Sequence, residues 1–113
     1  MSLISAIHKA CNDEQFESIS ELDLYAILNL LPSTGQFVIK NGERNRVYYL
    51  IHKLYEQLPK ETNQTWRTAI LQSLQLDERI YQSKYRMAKS KDTTPELEKF
   101  ADNLDELFKE FGS

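Results

Sequence analysis

Between Thr94 and Gly112 the apolar residues Leu97, Phe100, Ala101, Leu104, Leu107 and Phe108 recur at intervals of three and four. That period lines one face of an α-helix and does not fit the two-residue alternation of a strand. Thr94-Pro95 supplies a capping hydroxyl and a proline at the first helical position, and Gly112 closes the run. The same period returns upstream. Leu3, Ile4, Ile7, Ala10 and Cys11 mark a short helix over 3–12, which the polar stretch Asn12-Asp13-Glu14-Gln15 breaks. Ser20-Glu21-Leu22-Asp23 fits a capping box, and the helix behind it runs through Leu24, Ile27, Leu28 and Leu31 to a stop at Pro32. Val47, Leu50, Ile51, Leu54, Tyr55 and Leu58 line a helix from about 43 to 58, ended by Pro59. Trp66, Ile70, Leu71, Leu74, Tyr81, Tyr85 and Ala88 predict one long helix over about 64–90. At ~1.5 Å per residue it would reach about 40 Å, enough for part of it to project or serve a partner.

Gly and Pro number only three each, which leaves few turns for a β-fold. Gln36-Phe37-Val38-Ile39-Lys40 has strand-forming residues but no partner strand, so an extended linker that packs Phe37 and Ile39 is expected instead. The expectation is an all-α fold, a small helical bundle of about five helices with one long helix, in a single helical domain spanning 1–113. Five Phe, six Tyr and Trp66 argue against disorder. There is no apolar run of ~18 residues to span a membrane. Met1-Ser2-Leu3-Ile4 lacks the basic-then-apolar pattern of a signal peptide, and one cysteine cannot form an internal disulfide. A cytoplasmic protein is the simplest expectation.

The net charge of −3 argues against nonspecific nucleic-acid binding, but its distribution is uneven. Residues 1–34 carry one basic and five acidic side chains, residues 35–92 eleven and six, and residues 93–113 two and six. A basic middle between acidic ends marks either a polyanion-binding face or helices that pair with one another. Arg46 and Lys53 are seven apart on one predicted helix, which Arg44 opens. Arg79, Arg86 and Lys89 occupy the next, with Gln82 and Ser83 between them. Such side chains can track a phosphate backbone, and Tyr81 and Tyr85 can stack on bases, although their place on the apolar stripe favours core packing. A solvated face with local ion pairs is the alternative for the basic residues.

Catalysis is not expected. His8 and Cys11, three apart, could face one site, but two ligands do not make a zinc centre, and His52 is the only other histidine. Gly35 and Gly42 are isolated, so no phosphate-cradling loop exists, and the carboxylates fall at helix starts or on solvated faces. Neither metal nor cofactor is implied, nor is any small-molecule substrate.

Two resemblances bear on function. Gly35-Gln36-Phe37-Val38-Ile39, Arg44 and Arg46, then Leu54-Tyr55, followed by Ile80-Tyr81-Gln82-Ser83-Lys84-Tyr85-Arg86 and a final amphipathic helix, resemble in order the small Csm-type helical subunit of type III CRISPR effector complexes. Where that family places a small residue and glycine before the second arginine, this chain has Lys84-Tyr85. Where its linker carries threonine and serine, this chain has Asn41-Gly42-Glu43. The resemblance implies a noncatalytic subunit of an antiviral ribonucleoprotein, with Arg44, Arg46, Lys53, Arg79, Arg86 and Lys89 on the RNA backbone and recognition by shape and phosphate. Asp23-Leu24-Tyr25-Ala26-Ile27-Leu28-Asn29-Leu30 resembles the first helix of J-domain cochaperones, and Leu76-Asp77-Glu78-Arg79 with Tyr85-Arg86 is similar to that fold's last helix. Leu58-Pro59-Lys60 stands where its His-Pro-Asp loop would fall. That resemblance implies a degenerate adaptor without the chaperone-stimulating activity of that loop. The leading expectation is the RNA-binding subunit. The alternative, with no nucleic-acid role, is a protein–protein adaptor or regulator whose apolar helix faces dock a partner, and protein partners or self-association are expected either way.

Overall fold

The computed structural model describes residues 3–112, so Met1, Ser2 and the signal-peptide reading that touches them lie largely outside it. Among the described residues six helices form: α1 (Leu3–Cys11), α2 (Glu21–Leu28), α3 (Arg44–Gln57), α4 (Asn63–Ser73), α5 (Glu78–Met87) and α6 (Pro95–Gly112). The fold is all-α, with no strand among the described residues. Contacts divide the chain into two units, Met1–Arg44 and Asn45–Ser113.

In the first unit α1 packs against α2. Ser20 caps α2 as the sequence predicts, its Oγ accepting from the Asp23 N–H at 3.0 Å. The helix stops at Leu28, short of the expected Leu31, because Leu30 adopts a left-handed conformation (φ 60°). The Leu31 N–H reaches the Ala26 carbonyl and the Leu30 N–H the Ile27 carbonyl, so a Schellman turn closes the helix before Pro32 can. The core gathers Ala6, Ile7, Cys11, Phe16, Ile19, Leu24 and Leu28. The 36–40 segment is an extended linker: it makes one isolated bridge, Ile39 to Phe16, and places the Phe37 ring 4.7 Å from the Phe16 ring.

The second unit shows the main correction. The stretch read as one helix over 64–90 is two, α4 and α5. Gln75 takes a left-handed conformation (φ 57°), and the N–H groups of Leu76 and Gln75 bond back to Leu71 and Gln72. The Asp77 carboxylate then caps α5, accepting from the Ile80 N–H at 3.0 Å. A second Schellman turn thus sits inside an unbroken apolar period, and the longest helix is α6. Thr94 caps α6 through its Oγ1, which accepts from the Leu97 N–H at 3.2 Å. Val47, Tyr48, Tyr49, Leu50, Ile51, Ile70, Leu71, Tyr81, Ala88, Leu97, Ala101, Leu104 and Phe108 build the core of this unit.

Candidate functional site

Arg44 and Arg46 lie on the first turn of α3, the former exposed and the latter half-buried. Lys53, farther along α3, is drawn to α6: its Nζ lies 3.5 Å from Asp105 and 3.5 Å from Glu56, and 5.8 Å from the Phe108 ring centre. Lys89, just past α5, reaches the same Asp105 at 2.8 Å and also pairs with Asp102. The Tyr49 hydroxyl donates to Asp105 as well. Burial alone would raise the Asp105 carboxyl. Hydrogen bonds from Lys89 and Tyr49, and the charge of Lys53, outweigh burial and hold it below its ordinary value. Two of the six basic residues singled out in the sequence therefore meet on one carboxylate, and their charge is compensated within the chain.

Arg79 and Arg86 are exposed on α5, seven residues apart and so on one face. Arg79 makes no ion pair among the described residues. Arg86 lies over the Tyr85 ring, 5.5 Å from its centre, and its Nε donates to the Tyr85 hydroxyl at 3.2 Å.

Beside Arg86, through Tyr85, sits a cluster that the sequence did not reveal. His52 on α3 stacks on Tyr85 at 4.0 Å and 19°, with Tyr55 at 6.2 Å. Its Nδ1 lies 3.4 Å from the Tyr81 hydroxyl and its Nε2 3.5 Å from Glu56. Burial lowers the His52 pKa; Glu56 opposes this, and Lys53, Arg67 and Arg86 reinforce it. Arg67 of α4 places its guanidinium 4.6 Å from the Tyr55 ring centre and 5.4 Å from that of Tyr81, and it pairs with Glu78 at 3.4 Å. Its Nε is buried without a hydrogen-bond partner, so ring faces take the place of an acceptor there. Burial pushes the Tyr81 phenol up to about 12. The tyrosines are packing residues, as their place on the apolar stripe implies. The spacing of Tyr48, His52 and Tyr55 carried the signal, since residues three and four apart on one helix face one neighbour.

Cys11 is fully buried, and burial, aided by Glu14 and Glu43, pushes its thiol up to about 12. His8, on the same helix, lies 2.6 Å from the Ile19 carbonyl through Nε2. Among the described residues no group of three or more His, Cys, Asp or Glu side chains is placed to hold a metal ion, and no helix is long and apolar enough to cross a membrane.

The first unit shows a different surface. Leu22 is 76% exposed, Leu31 51%, Tyr25 49% and Leu30 43%. Leu22 and Tyr25 share the outer face of α2, whose inner face already buries Leu24 and Leu28. A short helix that is apolar on both sides has one side left to cover. The sequence held this signal in the run Leu22 to Leu31, where apolar residues outnumber the positions that one helix face can bury.

Comparison with known proteins gives no match among family models, curated proteins or solved structures. What fold and site define is an all-helical protein whose described residues include a carboxylate-centred ionic hub, a cation–aromatic cluster and an uncovered apolar helix face.

Proposed function

We propose that the chain is a noncatalytic helical interaction module that docks a protein partner through the outer face of α2 and the turn behind it. The carrying observation is the exposure of Leu22, Tyr25, Leu30 and Leu31 on one short helix and its C-terminal turn. Large apolar side chains clustered in this way mark contact surfaces in folded proteins. The groups best suited to chemistry are spoken for: the Cys11 thiol is buried and stays protonated, His8 is engaged by a carbonyl, and His52 lies against tyrosine rings. Leu22→Asp combined with Leu31→Asp tests the reading. Tagged wild type and variant are used as paired baits in source cells, with circular dichroism as a check on folding. Proteins retained by the wild type and lost from the folded variant support docking through α2; identical protein sets on both baits overturn it.

A second reading is favoured by a specific observation, the exposed pair Arg79 and Arg86 on one face of α5. It is that of an RNA-backbone-binding subunit of the kind the type III CRISPR resemblance implies. The resemblance gives the same role to Arg44 and Arg46, while Lys53 and Lys89 would act from within their pairs with Asp105. Arg79→Glu with Arg86→Glu should then flatten the salt dependence of RNA association by about two in log–log slope; an unchanged slope dismisses this reading.

A further inference from the structure

We propose that the partner segment received by α2 is a basic amphipathic helix, its apolar stripe edged by lysine and arginine; this rests on the docking reading above.

The surface is preorganised. Behind α2 the chain turns back, and Ser33 Oγ donates to the Asp23 carboxylate at 3.1 Å while accepting from the Gly35 N–H at 3.0 Å. A side chain at position 35 would lie 2.7 Å from Asp23, so glycine is what lets the return segment close on the first turn of the helix. Leu30 and Leu31 are therefore held in place before any partner arrives, which lowers the ordering cost of binding. Leu30 also occupies a left-handed position where glycine relieves the steric clash of a side chain. A leucine kept there, exposed, contributes little to the core, and its presence is explained by contact with something outside the chain.

Charge selects the occupant. Between Lys9 and Lys40 the chain has no basic residue and five acidic ones, Asp13, Glu14, Glu17, Glu21 and Asp23. Lys40 is taken by Asp13 at 3.0 Å. Glu14, Glu17 and Glu21 are exposed and make no ion pair among the described residues. An apolar patch in an acidic field favours a partner that brings leucine-type anchors and positive charge together. The described residues offer no strand edge for backbone pairing, so the docking mode left is side chain into side chain, as between helices. Eight residues of α2 extend about 12 Å, which matches two to three turns of a partner and anchors at i, i+3 or i+4, and i+7.

The test is a displayed library of 18-residue helical peptides panned against the full chain. A leucine stripe is held constant, and the flanking positions vary among Lys, Arg, Glu, Gln and Ser. The expected result is enrichment of Lys and Arg beside the stripe, with selected peptides losing at least ten-fold in affinity on Leu22→Asp and on Leu30→Gly. Leu30→Gly should meanwhile raise the Tm, which separates lost contact from lost fold. Neutral or acidic flanks among binders that still need Leu22 overturn the basic-helix proposal and leave the docking module standing. Binders indifferent to both substitutions overturn both. Self-association that Leu22→Asp abolishes makes a second copy the occupant, which also overturns the proposal.

Discussion

Asp105 holds three partners from two stretches of the chain: Tyr49 and Lys53 on α3, and Lys89 beyond α5. Its side chain is half-buried, so these bonds are screened somewhat less than those of a fully exposed pair. Asp105→Asn keeps the shape but removes the charge that orients the two lysines. It is expected to lower unfolding free energy by about 1–2 kcal/mol, read from the urea midpoint at unchanged m-value. A double-mutant cycle with Tyr49→Phe should show non-additivity, because the two side chains share one bond. Neither partner was legible in the sequence. Asp105 falls on the polar side of an amphipathic helix, and the Tyr48-Tyr49 pair gives no hint of which ring finds a carboxylate.

The elements were legible where apolar period and punctuation agree, and misread where they conflict. Ser20 and Thr94 cap the helices predicted for them, and Val47, Leu50 and Ile51 are buried on the face their spacing defines. The break between α4 and α5 was hidden because Ile70, Leu74, Tyr81 and Tyr85 keep helical spacing across it, and because Gln75 fills a turn position where glycine is the usual signal. Asp77 was the available clue, a capping residue in mid-stripe. The same conflict shortened α2, where Pro32 drew the boundary three residues late. Gln75→Gly removes the left-handed strain of a side chain and is expected to raise stability by about 1 kcal/mol, measured by urea unfolding. A loss instead would mean that the Gln75 side chain contributes contacts worth more than the strain. The uncovered face of α2 was legible only in part: the sequence shows too many leucines for one face, but not which of them stay in water.

At the scale of the molecule, the uneven charge resolves partly into internal pairing, since Asp102 and Asp105 of the acidic last segment take up Lys53 and Lys89 of the basic middle. This arrangement makes acid the condition under which the chain weakens, in two steps. Burial keeps the folded His52 pKa below its ordinary value of about 6.5. The unfolded chain therefore binds a proton first, and stability begins to fall as pH drops below about 6.5. The Asp105 carboxyl is likewise depressed; its stabilisation is full above the ordinary carboxylate value of about 4 and is lost as pH falls through the folded one. Thermal unfolding followed across that range should show both steps. His52→Gln is expected to remove the upper one alone, and Asp105→Asn to flatten the lower. A wild-type profile that stays level down to pH of about 5 would show that imidazole burial contributes nothing to folding.

Cys11 is the only cysteine, fully enclosed in the first unit, and Trp66 is the only tryptophan, half-buried in the second. Each unit thus carries its own natural reporter. A maleimide can reach the thiol only when the first unit opens, while indole emission follows the second. Labelling rate and fluorescence, recorded on the same wild-type chain along one urea series, would give two unfolding free energies without a single engineered probe.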